Sequence, residues 1–246
     1  ARDRSRVALE SDAMGAAGLG IHNILCLSGD HQSFGPSPTG KLDQSDMDAV
    51  QVLWILRRMR DEGKYLDGRE IKNPPMFFLG AAASPFSSNV KFQALREQKK
   101  VNAGAQFFQT NLIFDVDGME TWLNELGKRD VLNKVYILAG VTPIKSLKMA
   151  QKLAEVPGVY LPKHILQRME VADKAGNAQE EGIQIALEIL GKIKAYEKQG
   201  ISGIHLMPVG WDEIIPRIVT EAGIASKQLL LDNTSQEWNH AYHIEK

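Results

Sequence analysis

Cysteine is nearly absent from this sequence. Cys26 is the single one among 246 residues, so no disulfide can form within the chain and cysteines alone cannot build a metal site. That usage suits a reducing compartment, and the cytoplasm is the expected location. No apolar run approaches the roughly 18 residues of a membrane span, and the opening ARDRSRVALESD lacks the apolar centre of a signal peptide. Neither sign of charge is in excess: 29 Lys and Arg face 30 Asp and Glu, for a net charge of −1, so nothing favours nucleic acid or an anionic membrane as partner. The six histidines include no H-x-x-x-H pair, and a metal site is not expected. Ser28 and Ser84 lack the G-x-S-x-G context of a hydrolase nucleophile, and Cys26 lies within an apolar run, as a core thiol does.

What the chain does have is repetition. Three segments share one grammar, a helix with glycine near its end followed by a short apolar run: AAGLGIHNILCLSGD, VNAGAQFFQTNLIFD and YEKQGISGIHLMPVG. They predict strands over 21–27, 107–114 and 204–209, with Gly18 and Gly20, Gly104, and Gly200 and Gly203 at the preceding helix ends. Met76 to Ala83 and Val135 to Pro143 are strand-like by the same criterion. Helical stripes fall between: Leu147, Ala150, Leu153 and Ala154 in one, Ile183, Ala186, Leu187, Leu190 and Ile193 in another, with a lysine-rich helix between Phe86 and Ala103. Alternation of helix with nearly continuous apolar strands indicates an α/β fold with a parallel sheet.

No strand is followed by a G-x-G-x-x-G turn, which disfavours a dinucleotide-binding doubly wound sheet. Small and polar residues gather instead at the C-terminal strand ends, the edge that carries active sites in a (β/α)8 TIM barrel. Five strands are counted, whereas a full barrel takes eight and about 250 residues. Much of the chain goes to loops over 31–42 and 65–75 and to a polar tail. The expectation is therefore a partial barrel of about five C-terminal βα units over residues 1–223, with a tail over 224–246.

Asp30, after Ser28 and Gly29 at the end of the first strand, serves equally well as a helix cap or as a carboxylate facing a heterocyclic ligand. The Gly-, Pro- and Ser-rich loop after it is a lid or a connection. Lys99 and Lys100 close a helix, where the helix dipole favours a cation without any ligand, so spacing alone favours a solvated face.

Taken in order, GIHNILCLSGDH, GAAASPF, KKVNAGAQFFQTNLIFDVD, ILAGVTPIKSLKMAQKLAE and GIHLMPVG resemble the flavin-dependent methylenetetrahydrofolate reductase family, from about Arg2 to about Gly223. The strings L-S-G-D-H, G-A-A-A-S-P and Q-T-N-L-I-F-D are most similar to the branch found in acetogenic and other C1-metabolising anaerobic bacteria. The resemblance implies a flavin, FAD or FMN, at the C-terminal edge of a barrel. It also implies reduction of 5,10-methylenetetrahydrofolate to 5-methyltetrahydrofolate by hydride transfer from the flavin. Position by position, Asp30 matches an aspartate between flavin and pterin, Gly29 with Ser28 lets the backbone approach the ring, Ala82 falls near a flavin contact, and Lys100 with Lys99 matches cations on the flavin phosphates.

Departures from the pattern accompany these matches. Asn111 stands where a glutamine grips the pterin, Met149 and Leu153 where a glutamine and an aromatic ring stack on nucleotide and folate, and Trp211 where an arginine meets the folate tail. Without that aromatic plane, the expected electron donor is an iron–sulfur or flavin protein subunit, and otherwise NAD(P)H, in an oligomer or complex. The resemblance further implies that three strands, with a general-acid glutamate on the first, precede Arg2 in the family. The rival reading is a non-reducing folate-binding barrel, such as a methyltransferase subunit or an inactive partner.

Overall fold

The computed structural model describes residues 1–29 and 47–224. Five strands form one parallel sheet in the order β1 (Asn23–Cys26), β2 (Phe78–Ala83), β3 (Phe107–Leu112), β4 (Tyr136–Val141) and β5 (Ile201–Leu206). Helices α1 (Arg6–Gly18), α2 (Ala49–Asp61), α3 (Val90–Ala103), α4 (Val116–Gly127), α5 (Leu147–Ala154), α6 (Lys163–Lys174), α7 (Ala178–Ile193) and α8 (Ile215–Glu221) precede, separate and follow them.

Each strand pairs with the one before it, and no strand doubles back to the other side of β1. Since βαβ crossovers are right-handed, a sheet that grows always on the same side collects its helices on one face. A doubly wound sheet reverses direction partway, so this order is that of consecutive units of a (β/α)8 barrel. Burial follows the same division. Leu79, Ala81, Phe108, Ile137 and Ala139 are wholly buried on the helix side. Phe78, Ala82, Gln109, Leu138 and His205 share the other, inner face and are half-buried among the described residues. On that inner face the Phe78 and Phe107 rings stack with centroids 5.3 Å apart. Gly80 makes the stack possible, because a Cβ there would run into the Phe107 ring.

Local chemistry sets the helix ends that surround the site. Asp48 and Gln51 form a reciprocal capping box at the start of α2. The Asn89 side chain accepts from Phe92 N at 3.0 Å to open α3, and Gly104, at φ 122, closes it.

Four of the five apolar runs become strands within a few residues of the expected limits. The fifth begins at Ile201 instead of Ile204, and Gly203 lies inside it opposite Leu138, so only Gly200, at φ 114, is a helix-end glycine. The crossover from β4 to β5 holds three helices, of which α6 had no counterpart in the sequence reading. The loop expected over 31–42 and the tail after 224 lie outside the described residues. Among the described residues no helix is long and apolar enough to cross a membrane.

Candidate active site

A cleft of about 630 Å³ opens at the C-terminal ends of β1 and β2. One wall is the chain leaving β1. There Gly29 adopts φ 84, a left-handed turn, and the Ser28 hydroxyl accepts from Ala49 N, the first residue of α2, at 3.0 Å. That bond fixes the strand end to the helix that follows. The opposite wall is Ala82 and Ser84 at the end of β2, with Phe92, Arg96, Lys99 and Lys100 projecting from α3.

Lys100 departs from the solvated-face expectation. It is 9% exposed, and its ammonium donates to Ala82 O at 2.6 Å, so it reaches across to β2 and does not cap its own helix. Burial pulls its pKa down, and the nearby Glu97 carboxylate partly offsets that pull. An ammonium has three N–H bonds, and among the described residues one of them is engaged, by Ala82 O. Lys99, next to it, is exposed as expected.

Behind the cleft lies a group that sequence reasoning missed. Glu97 is completely buried and accepts three hydrogen bonds: Ser84 N at 3.0 Å, Gln93 Nε2 at 3.0 Å and Trp122 Nε1 at 2.6 Å. Burial pushes its carboxyl pKa up, against the opposing pull of these donors and of Lys100. One carboxylate thus joins β2, α3 and α4 directly beneath the cleft wall. Arg96 and Phe92 were also missed. Arg96 stands one helical turn before Lys100, an i,i+4 spacing legible in the sequence, whereas nothing there marks Phe92 as 56% exposed.

The residues expected to hold substrate fall elsewhere. Asp30, the central candidate, lies outside the described residues. Asn111 sits where β3 bulges between Gln109 and Leu112, its side chain accepting from Leu112 N at 2.9 Å and donating to Pro157 O at 3.4 Å. Bulges beside active sites re-aim side chains, and here the Thr110 hydroxyl stabilises the bulge by accepting from Gly140 N and donating to Asn111 O, both at 2.8 Å. Leu153 packs into the core at 8% exposure, Met149 is half-buried beside it, and Trp211 is 5% exposed. None of these four lines the cleft. Cys26 does line it, but its thiol is 3% exposed and burial pushes its pKa up to about 12, which makes it inert at neutral pH.

The arrangement suits a flat ligand with an anionic end. Gly29 and Ala82 present little side chain, while Arg96, Lys99 and Lys100 concentrate positive charge at one side of the same cleft. A flavin with its phosphate fits that donor set.

The family model for methylenetetrahydrofolate reductase matches residues 1–223. The chain belongs to the methylenetetrahydrofolate reductase family. The match takes in all five strands and every residue named in the cleft. Among curated methylenetetrahydrofolate reductases, the chain is 26% identical over 231 residues to the NADH enzyme 1 of Arabidopsis thaliana, covering 92% of this chain and 37% of that one. It is 23% identical over 210 residues to the 5,10-methylenetetrahydrofolate reductase of Escherichia coli, covering 83% and 62%. It therefore spans less than two thirds of the length of either relative. A solved structure of a Clostridium thermocellum protein that binds two copies of 5-methyl-5,6,7,8-tetrahydrofolic acid aligns with TM-score 0.48 at 15% identity, over 91% of each chain.

Proposed function

We propose that this chain forms part of a flavin-dependent methylenetetrahydrofolate reductase. The observation that carries the reading is the cleft at the C-terminal strand edge, where one buried and two further cations face a strip of small residues, in a chain of this family. When bound, the flavin supplies the hydride that converts 5,10-methylenetetrahydrofolate, with one added proton, into 5-methyltetrahydrofolate.

The chain's own residues provide binding and orientation. Lys100 meets the phosphate with the N–H bonds that Ala82 O leaves over, and Arg96 and Lys99 add charge where the cleft opens. Gly29 and Ala82 admit the ring close to the backbone. Asp30, next in sequence to Gly29, holds the pterin, and its negative charge favours the positive charge on the reacting carbon. Asn111, in the same assignment, reaches the pterin with the second N–H of its amide, the first being held by Pro157 O, and does so from outside the cleft described above. Electrons come from a partner protein with iron–sulfur or flavin centres, because Leu153 is committed to the core and Met149 offers no aromatic plane to a nicotinamide.

The test is direct. The purified protein, expressed from its intact gene, is expected to be yellow and to release FAD or FMN on denaturation, with spectral shifts on adding 5-methyltetrahydrofolate. A colourless protein that takes up neither flavin would refute the reading.

A further inference from the structure

The cleft opens where β1 leaves the sheet. On the β1 side of β2, Phe78 N donates to His22 O at 2.8 Å, and Ala82, four residues on, turns its backbone to the same side. The β1 ladder, however, ends with Cys26 opposite Ala81. Two side chains of α3 supply what a longer β1 would have given. The Lys100 ammonium donates to Ala82 O at 2.6 Å, and the Glu97 carboxylate accepts from Ser84 N at 3.0 Å. A charge of each sign, three residues apart on one helix, therefore clamps the end of β2 and leaves the space beside it open to a ligand.

The two charges depend on each other. Among the partners of Glu97, the Ser84 N–H and the Trp122 indole can only donate, and they occupy one carboxylate oxygen each, which favours the anion. A buried anion needs a countercharge, and Lys100 is the cation that acts on Glu97. At Lys100, burial works most strongly against the ammonium. Glu97 opposes that pull, Arg96 adds to it, and Asp48 at the start of α2 gives weaker support. Asp48 is exposed and so screened by water, which leaves Glu97 as the main support. Cys26, which β1 brings to the cleft, stays neutral, its pKa pushed up to about 12.

We propose that Glu97 is a positioning residue for the anion site: acting through Lys100 and Ser84, it keeps a charged ammonium aimed into the cleft for the cofactor's phosphate. This rests on the flavin reading above. The test measures affinity of the flavin-free protein, expressed from its intact gene, for FAD and FMN between about pH 6 and 10. Riboflavin, which has the same ring and no phosphate, controls for ionisation of the ring. Wild-type affinity should fall on the alkaline side as Lys100 loses its proton. In Glu97→Gln the fall should begin about one pH unit lower, because a supporting charge is gone. Affinity at about pH 6 should be kept or raised, because a negative charge near the phosphate is gone too. Lys100→Arg, whose guanidinium keeps its proton, should show no such fall, and a fall that persists there overturns the proposal. So does an unmoved fall in Glu97→Gln with equal weakening at every pH, which is the mark of a merely structural role. If Glu97→Gln does not fold, Glu97→Asp decides: with the charge kept, the fall should stay where the wild type has it, and a displaced fall overturns the proposal. A wild type that binds riboflavin as tightly as FAD and FMN overturns the phosphate site and leaves the flavin reading standing; one that binds no flavin overturns both.

Discussion

Replacing Glu97 with alanine should cost this fold more than any surface change of equal size, because three donors converge on one buried carboxylate. The variant strands the Ser84 N–H, the Gln93 amide and the Trp122 indole N–H. Each buried orphan costs about 1–3 kcal/mol, less what water entering the new space recovers, so a total of about 3–5 kcal/mol is expected. At about 2–4 °C per kcal/mol for a chain of this size, the melting temperature should fall by about 10 °C. Because Ser84 lines the cleft, the flavin should be released earlier in the melt than from the wild type. Glu97→Gln keeps one acceptor and removes the charge, so it should lose less.

The pH dependence separates charge from hydrogen bonding. The folded pKa of Glu97 lies above its unfolded value, so the native state binds more protons, and its contribution to stability is full below the unfolded pKa and is lost as pH rises through the folded one. Glu97→Gln should abolish that part of the slope. Differential scanning fluorimetry between pH 4 and 8 with both variants measures it. A Glu97→Ala protein melting within about 2 °C of the wild type would refute the argument, since it would mean that the three donors find partners without the carboxylate.

Further outcomes follow from the same geometry. Lys100→Met should weaken flavin binding about thirtyfold by equilibrium dialysis without lowering the melting temperature of the flavin-free protein, because it removes a charge that burial already disfavours. Equal flavin affinity would return Lys100 to a structural role. Asp30→Asn should retain flavin but lose about 2–4 kcal/mol of transition-state stabilisation in kcat/KM; an unchanged kcat/KM would leave Asp30 as a helix cap. His205 has its Nδ1 buried with no partner among the described residues, and burial holds its pKa below the usual value. Its stabilising contribution is present above the unfolded pKa and is lost as pH falls through the folded one, so His205→Gln should flatten the acid side of the melting-temperature profile. An identical profile would mean that another group titrates there.

The sheet was legible because its strands are buried runs of Leu, Ile, Phe and Ala bounded by glycine and polar residues, a pattern that local composition sets. The start of β5 was misjudged because glycine ends helices and also occurs inside strands where a neighbour crowds the backbone. A Cβ on Gly203 would lie 3.0 Å from a Leu138 methyl. α6 escaped notice because its apolar residues do not form one clean stripe: Ile165, Met169 and Ala172 are buried, while Val171, equally apolar in the sequence, is 69% exposed. For the site, spacing placed Lys99 and Lys100 together at a helix end, yet only the fold turns one into solvent and the other under β2. Glu97 and Trp122 stand 25 positions apart, and nothing local to either shows that they share a hydrogen bond. Such pairings exist only after the units stack.

The most direct test of the central claim is a single anaerobic turnover. The flavin-loaded protein, reduced chemically with dithionite and freed of excess reductant, is mixed with 5,10-methylenetetrahydrofolate while flavin absorbance is followed, and the products are then separated chromatographically. The account predicts reoxidation of the flavin with one equivalent of 5-methyltetrahydrofolate formed. A flavin that stays reduced while the folate binds would contradict it and favour a folate-binding barrel that does not reduce.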